Sequence, residues 1–339
     1  MGKIIVIFGL LFSTLWGASY TDMMGRVVEV KESSKLVFIG PGALRLGVYL
    51  GLDARLVGVE KTENDASPLS PYRSFLGKER IGSLPIIGAG GPGKMPDLEA
   101  LIAVKPDLIV SSFVDKNALE LITSKTGIPV LALSYGATYG GNEAQLQSIK
   151  NSLLLLGKVS GTSARAQELV VFMNEQQKNL AALSLPAKKV YVGGVGYKGA
   201  QGITSTEANY PPFELLGLKN SVFEGKEAMG HQFIELEALL KTNPEIIFID
   251  TFGRKKVMEA YEANKALFDT IGAYQNGAIK DILSYNFYAT NVENLFVIAW
   301  QIAYGLGKPF HLTQEAQKIY TIFYGPKGPS LLPQLLPQH

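Results

Sequence analysis

Short apolar runs alternate with longer segments whose apolar residues recur every three or four positions. The short runs predict β-strands and the longer segments predict helices. Strands that alternate with helices form mostly parallel sheets covered on both faces, so we predict an α/β fold. In the second half of the chain, Ser205 or Thr206 is expected to cap a helix that reaches Leu216, although Pro211 and Pro212 interrupt it. The predicted strands are 36–39, 55–59, 108–110, 129–133, 189–192, 246–249 and 280–283.

One helix–strand pattern occurs twice. Residues 98–110 read LEALIAVKPDLIV and residues 236–248 read LEALLKTNPEIIF, with six of thirteen positions identical. In each copy the helix is expected to stop before a proline, because the residue before proline is disfavoured in helical geometry. An apolar strand follows. The repeat indicates two similar α/β lobes.

Each copy carries a glutamate near the start of its helix, Glu99 or Glu237. Either one alone is explained by the favourable interaction of a carboxylate with the helix dipole. Matching positions in two lobes indicate a shared task, such as docking a two-fold symmetric basic partner.

A long helix is predicted between the two repeats. Residues 161–183 contain no glycine or proline after Gly161, and about 20 helical residues span about 30 Å. We interpret this helix as a spine that joins the lobes. The predicted division is a signal peptide (1–19), an N-terminal lobe (20–160), the spine (161–185) and a C-terminal lobe (186–339).

The N-terminus predicts export. Lys3 precedes an apolar run over 4–15, and the small residues Gly17, Ala18 and Ser19 follow, which is typical of a secretory signal peptide. The run is shorter than the roughly 20 residues of a membrane span. A buried N-terminal strand is the other interpretation. We expect an exported protein.

Cysteine is absent, so disulfides, thiolate chemistry and lipid attachment through an N-terminal cysteine are excluded. The 339 residues suit two domains. The net charge is +2 and no basic run occurs, so no nucleic-acid partner is expected.

Catalytic motifs are missing. The chain has no GxSxG, no HExxH and no defensible pair of carboxylates, so neither an enzyme nor a cofactor is expected. His231 is interpreted as a lone ligand or, alternatively, as the donor or acceptor of a loop-anchoring hydrogen bond.

Polar and aromatic side chains on loops are the candidate ligand contacts, because ligands of open parallel sheets sit at the carboxyl ends of strands. The loop Gly40-Pro41-Gly42 is either a tight turn or an anion site. A cation in the first helical turn after it, Arg45, suggests a bound anion or a carboxylate partner. Tyr72 and Arg73 offer a phenol and a planar five-donor fork, which predicts an anion or chelate clamp. The alternative is that both are surface loop residues without a ligand. The full predicted set is Arg45, Glu60, Tyr72, Arg73, Tyr135, Tyr197, Lys198, Tyr285 and Tyr288.

The chain resembles the periplasmic solute-binding proteins of the iron-siderophore, haem and cobalamin ABC importers. The matching residues are GRVV at 25–28, Gly58-Val59 and the two repeats. The resemblance implies two Rossmann-like lobes joined by one long rigid helix, and a monomer that binds ligand between the lobes. It also implies docking to a permease dimer through Glu99 and Glu237.

The expected ligand is an iron chelate, either a ferric siderophore or a similar metal complex, delivered to an inner-membrane permease. Haem or cobalamin in the same role is one alternative. Others are an exported two-domain α/β enzyme and an exported sensor or adhesion module.

Overall fold

The computed structural model describes residues 17–64, 67, 69–112, 115–134 and 143–334. The N-terminal half contains five strands and six helices, with two short 3₁₀ turns. The strands are β1 (Ala18–Thr21), β2 (Val27–Val30), β3 (Leu36–Ile39), β4 (Leu108–Ser111) and β5 (Val130–Ala132). The helices are α1 (Ala43–Tyr49), α2 (Pro71–Leu76), α3 (Lys78–Gly82), α4 (Leu98–Val104), α5 (Lys116–Thr126) and α6 (Glu143–Ser160), and the 3₁₀ turns are Asp53–Arg55 and Lys61–Asn64.

The N-terminal sheet is parallel, with strand order β3-β4-β5. All of its residues are buried, as expected for strands covered by helices on both faces. The strand predicted at 55–59 was wrong: only single bridges form, from Leu56 to Leu36 and from Val59 to Ile86. A separate antiparallel hairpin joins β1 and β2.

The spine is observed as α7 (Ser163–Ala181), 19 residues long. Its buried face includes Leu169, Met173 and Gln176. The side-chain amide oxygen of Gln176 accepts a hydrogen bond from the Trp300 indole N–H at 2.8 Å. The helix is therefore held by the C-terminal half as well as by α6.

The C-terminal half contains five strands and seven helices. The strands are β6 (Val190–Gly193), β7 (Ser205–Glu207), β8 (His231–Phe233), β9 (Ile246–Asp250) and β10 (Ile279–Ile282). The helices are α8 (Pro211–Leu215), α9 (Leu236–Thr242), α10 (Arg254–Ala263), α11 (Lys265–Phe268), α12 (Gly272–Gln275), α13 (Val292–Gly305) and α14 (Leu312–Tyr324), with 3₁₀ turns at Ser221–Phe223 and Gly325–Gln334.

The C-terminal sheet is also parallel, with order β10-β9-β6. Beside it, β7 pairs antiparallel with β8. The helix predicted to start at Ser205 or Thr206 was wrong. Their hydroxyls donate to the carbonyls of Val195 and Val192 at 2.6 Å, so these residues extend the strand region. The helix starts at Pro211, where a proline's fixed φ and missing N–H suit the first helical turn.

The repeat is a duplicated structural unit. In each lobe the helix of the repeat ends on a residue with positive φ, Lys105 or Asn243, and the strand follows. The carboxylate after the proline then accepts from the amide that opens the neighbouring strand. Asp107 Oδ2 lies 2.8 Å from the Lys35 nitrogen, and Glu245 Oε2 lies 3.0 Å from the Lys189 nitrogen. An acidic side chain at the equivalent position therefore bonds to the start of β3 in one sheet and of β6 in the other.

One hydrophobic core runs through both halves and the spine, while a smaller core lies on the outer face of each sheet. The C-terminal helix α14 returns to the N-terminal half. The rings of Tyr49 and Phe323 lie 4.7 Å apart, and those of Phe75 and Tyr324 lie 5.3 Å apart. Within the described residues, none of the helices combines the length and apolar character that membrane crossing requires.

Candidate functional site

The turn after β3 is closed by groups of the protein itself. Gly40 has φ 83°, and a Cβ there would lie 1.9 Å from the Ser112 carbonyl oxygen, so only glycine fits. The Gly40 amide donates to Glu60 Oε2 at 3.0 Å, and Ser112 Oγ donates to the Pro41 carbonyl at 2.6 Å. Both contacts support the tight-turn interpretation of this loop.

Glu60 lies at the centre of the contact between the lobes and is 1% exposed. Its Oε2 accepts from Gly40 and from the Tyr288 phenol at 3.1 Å. Its Oε1 has no hydrogen-bond partner among the described residues. Burial, reinforced by the charge of Glu63, raises the pKa of Glu60 to about 7.

Tyr72 and Arg73, predicted to clamp a bound anion or chelate, both bond to Glu63 of the same chain. Glu63 Oε2 accepts from the Tyr72 phenol at 2.5 Å and from Arg73 Nε at 2.8 Å. All three side chains are almost fully buried. Burial and the Glu63 charge both raise the pKa of Tyr72 well above its ordinary value.

Arg45 joins the two lobes through backbone carbonyls. Its guanidinium donates to the carbonyl oxygens of Thr290 at 3.0 Å and Phe287 at 2.8 Å, and it lies 4.7 Å from the centroid of the Tyr72 ring. The side chain is 0% exposed. These two acceptors are backbone carbonyls of the loop that follows β10, whereas the sequence suggested a bound anion or a carboxylate partner.

That loop holds two consecutive residues in the left-handed region, Tyr288 at φ 51° and Ala289 at φ 75°. Such geometry costs about 1–2 kcal/mol for each residue other than glycine. The Tyr288 oxygen accepts from the Gly91 amide at 2.9 Å, and Arg73 lies 5.0 Å from the Tyr288 ring centroid. Contacts from the N-terminal half thus maintain a strained loop of the C-terminal half.

Tyr285 lies inside the C-terminal lobe. Its phenol donates to Glu207 Oε2 at 2.5 Å, and its ring lies 5.6 Å from that of Tyr210. Burial raises the pKa of Tyr285 well above its ordinary value and that of the neighbouring carboxyl of Asp250 to about 7. Tyr285 is 1% exposed, so its contacts are internal in this structure.

Tyr197 and Lys198 lie on an accessible part of the C-terminal lobe, after β6. The Tyr197 ring stacks on His231 with 4.3 Å between centroids and 12° between planes. His231 Nε2 lies 2.7 Å from Ser205 Oγ, which is the loop-anchoring hydrogen bond considered for it. Phe233 meets both rings edge-on and is 59% exposed.

The structure thus brings five predicted residues together at the junction of the lobes: Arg45, Glu60, Tyr72, Arg73 and Tyr288. Tyr285 lies apart from them, as do Tyr197 and Lys198, while Tyr135 falls outside the described residues. All nine stay predictions as ligand contacts. Sequence reasoning missed Glu63, Glu207 and Phe233. Only Glu63 had a local signal, a second acid three positions after Glu60.

Both predicted docking glutamates are exposed. Glu99 lies in the first turn of α4 and Glu237 in the first turn of α9. Among the described residues, no group of three or more histidines, aspartates and glutamates is placed to hold a metal ion.

Comparison with known proteins identifies relatives. A family model described as "Periplasmic binding protein" matches residues 44–285. The ferric-anguibactin-binding protein FatB of Vibrio anguillarum is 22% identical over 220 residues, covering 63% of this chain and 67% of that protein. The Fe(3+)-citrate-binding protein YfmC of Bacillus subtilis is 24% identical over 204 residues, covering 60% of this chain and 62% of that protein.

Solved structures confirm the α/β fold. A periplasmic solute binding protein from Veillonella parvula superposes with a TM-score of 0.69 at 18% identity, covering 91% of this chain and 92% of that one. The fold and the relatives confirm the resemblance that the sequence motifs indicated. The family model spans most of the chain, so this protein belongs to the periplasmic binding protein family.

Proposed function

We propose that this protein is the exported solute-binding component of an ABC importer, that it captures an iron chelate between its two lobes and that it delivers the chelate to a permease dimer. It does so without catalysis and without a cofactor of its own. The chelate is a ferric siderophore or a similar metal complex.

The duplicated unit carries this proposal. Two exposed glutamates sit at equivalent points of two lobes, each in the first turn of the helix that precedes a central parallel strand. Within the described part of the chain, neither Glu99 nor Glu237 forms an ion pair. Two acidic groups at equivalent positions suit a partner made of two equivalent basic subunits.

The ligand class is supported by the relatives. The names of the two curated proteins describe binding of ferric anguibactin and of Fe(3+) citrate. Both names describe a ferric ion held by a chelator. We therefore propose a ferric chelate as the ligand class of this chain, and we propose neither of the two individual ligands.

Titration of the purified protein tests the proposal. Ferric catecholate, ferric hydroxamate and ferric citrate complexes, haem and cobalamin are added separately, and heat of binding is measured by calorimetry. We expect saturable binding of at least one ferric chelate and weaker binding of the iron-free chelators. Binding of haem or cobalamin alone would overturn the ligand class, and turnover of any of these compounds would overturn the non-catalytic role.

A further inference from the structure

An accessible aromatic cluster lies beside the carboxyl end of β6. We call Tyr197, His231 and Phe233 the aromatic platform. Tyr197 and His231 are stacked, while Phe233 stands at 84° to the Tyr197 ring and 75° to the His231 ring. Phe233 is 59% exposed, and Tyr197 and His231 are partly exposed beside it. A contiguous accessible surface of aromatic rings is a candidate binding surface.

Hydrogen bonds of the surrounding backbone and of Ser205 hold the aromatic platform in place. Ser205 Oγ donates its single proton to the Val195 carbonyl at 2.6 Å, so it accepts from His231 Nε2–H at 2.7 Å. The β7–β8 pairing sets Ser205 opposite Phe233. The Tyr197 amide donates to the Gly199 carbonyl at 3.0 Å, which fixes the loop on the other side. A rigid aromatic surface loses little conformational entropy when a ligand binds.

A cation accompanies the rings. Lys198 is exposed, and its Nζ lies 5.4 Å from the centroid of the Tyr197 ring. Its backbone has φ 51°, a conformation that a residue other than glycine adopts at a cost. Partial burial lowers the pKa of His231, which favours the uncharged imidazole ring stacked on Tyr197.

We infer that the aromatic platform and Lys198 bind the aromatic ring of an iron chelate, so that the preferred ligands are chelates with a planar ring bearing ionised oxygen donors, in preference to chelates without rings. The ring packs against Phe233 and Tyr197, and the Lys198 ammonium faces the negative charge of the chelate. This inference rests on the proposed function and narrows its ligand class.

Paired probes test the inference. The ferric complex of 2,3-dihydroxybenzoate carries rings and ferric citrate carries none, and the affinity of the protein for each is measured by calorimetry. We expect tighter binding of the ring-bearing complex. In Phe233→Ala the ratio of the two affinities should fall about 3- to 10-fold, the size of one lost aromatic pair. The control Met229→Ala, an exposed apolar residue outside the platform, should keep the wild-type ratio.

A second readout reports contact directly. The chain has three histidines, so the ring signals of His231 are identified in a proton NMR spectrum by comparison with His231→Gln. Diamagnetic gallium(III) replaces iron in the dihydroxybenzoate complex. We expect the His231 signals to shift by ring current on addition of this complex, and to shift much less with gallium citrate.

The outcomes separate the two proposals. Binding of ferric citrate with an unchanged ratio in Phe233→Ala overturns the platform and leaves the proposed function intact. Binding of neither probe overturns the platform, and failure of every ferric chelate overturns the proposed function as well. If Phe233→Ala binds both probes like the wild type but fails in import by cells, Phe233 belongs to a docking surface and the inference is wrong.

Discussion

The phenol of Tyr288 in the C-terminal half donates a hydrogen bond to Glu60 in the N-terminal half, with 3.1 Å between the Tyr288 oxygen and Glu60 Oε2. The same carboxylate oxygen accepts from the Gly40 amide, and the Tyr288 oxygen accepts from the Gly91 amide. One buried carboxylate thus links the turn after β3 to the loop after β10. Its protonation state should affect how firmly the lobes hold together.

Stability is expected to fall as pH rises through the pKa of Glu60. Its folded pKa of about 7 lies above the ordinary value of 4.5, so the stabilisation is complete below pH 4.5 and lost as pH rises through about 7. The loss is on the order of 3 kcal/mol. In Glu60→Gln, which resembles the protonated acid, this share of the pH dependence should vanish in urea unfolding curves measured from pH 4.5 to 8.

Asp250 provides the control, because burial also raises its pKa to about 7. Asp250→Asn should remove a separate part of the pH dependence of the unfolding free energy and leave the part due to Glu60 unchanged. If the unfolding free energy of Glu60→Gln depended on pH as that of the wild type does, the stability effect assigned to Glu60 would be wrong.

Replacing Arg45 should loosen the junction of the lobes. Lysine has one compact ammonium and cannot reach both carbonyls that the guanidinium fork contacts, so Arg45→Lys should lose about 2–4 kcal/mol of unfolding free energy. Small-angle scattering should show a larger radius of gyration. Arg254→Lys is the matched control, since Arg254 is 51% exposed in its pair with Asp281 and such pairs contribute about 0–1 kcal/mol.

The duplicated carboxylates predict local effects, one in each lobe. Asp107 accepts from the Lys35 amide and from Ser34 Oγ at 2.6 Å, whereas Glu245 accepts from the Lys189 amide. Asp107→Ala should cost about 1–2 kcal/mol and Glu245→Ala about 0.5–1 kcal/mol. Hydrogen exchange should speed up at Lys35 in the first variant and at Lys189 in the second. If one substitution sped up hydrogen exchange in both lobes, the two carboxylates would not act as independent local units.

Charge reversal at the docking glutamates should separate binding from delivery. The double variant Glu99→Arg and Glu237→Arg is expected to bind ferric chelate normally and to abolish growth on that chelate as sole iron source, because like charges would then face the permease. The control reverses two other exposed glutamates, Glu120 and Glu262, and should support growth. Normal growth of the docking variant would remove the support for this surface.

Local patterns were sufficient for most of the fold. The apolar runs at 36–39 and 246–249 became parallel strands, and the uninterrupted helical spacing of 161–183 became α7. These predictions succeed because side-chain periodicity and proline positions act over a few residues. The misassigned helix start at Ser205 has the opposite cause: its hydroxyl bonds to Val195, ten positions away.

The candidate site depended on contacts between distant parts of the chain. The sequence showed that Arg45 opposes a helix dipole and that Tyr72 and Arg73 could clamp an acidic group. It could not show that Phe287 and Thr290 supply carbonyls to Arg45. Nor could it show that Glu63 is the acidic partner of Tyr72 and Arg73.

The sequence by itself determined the two α/β lobes, the long helix between them and the matching positions of Glu99 and Glu237, since each follows from local pattern or from the repeat. Only the tertiary structure decided which polar side chains hold the lobes together and which stay accessible. Burial and pairing are set when residues more than 200 positions apart come into contact, as Arg45 and Thr290 do.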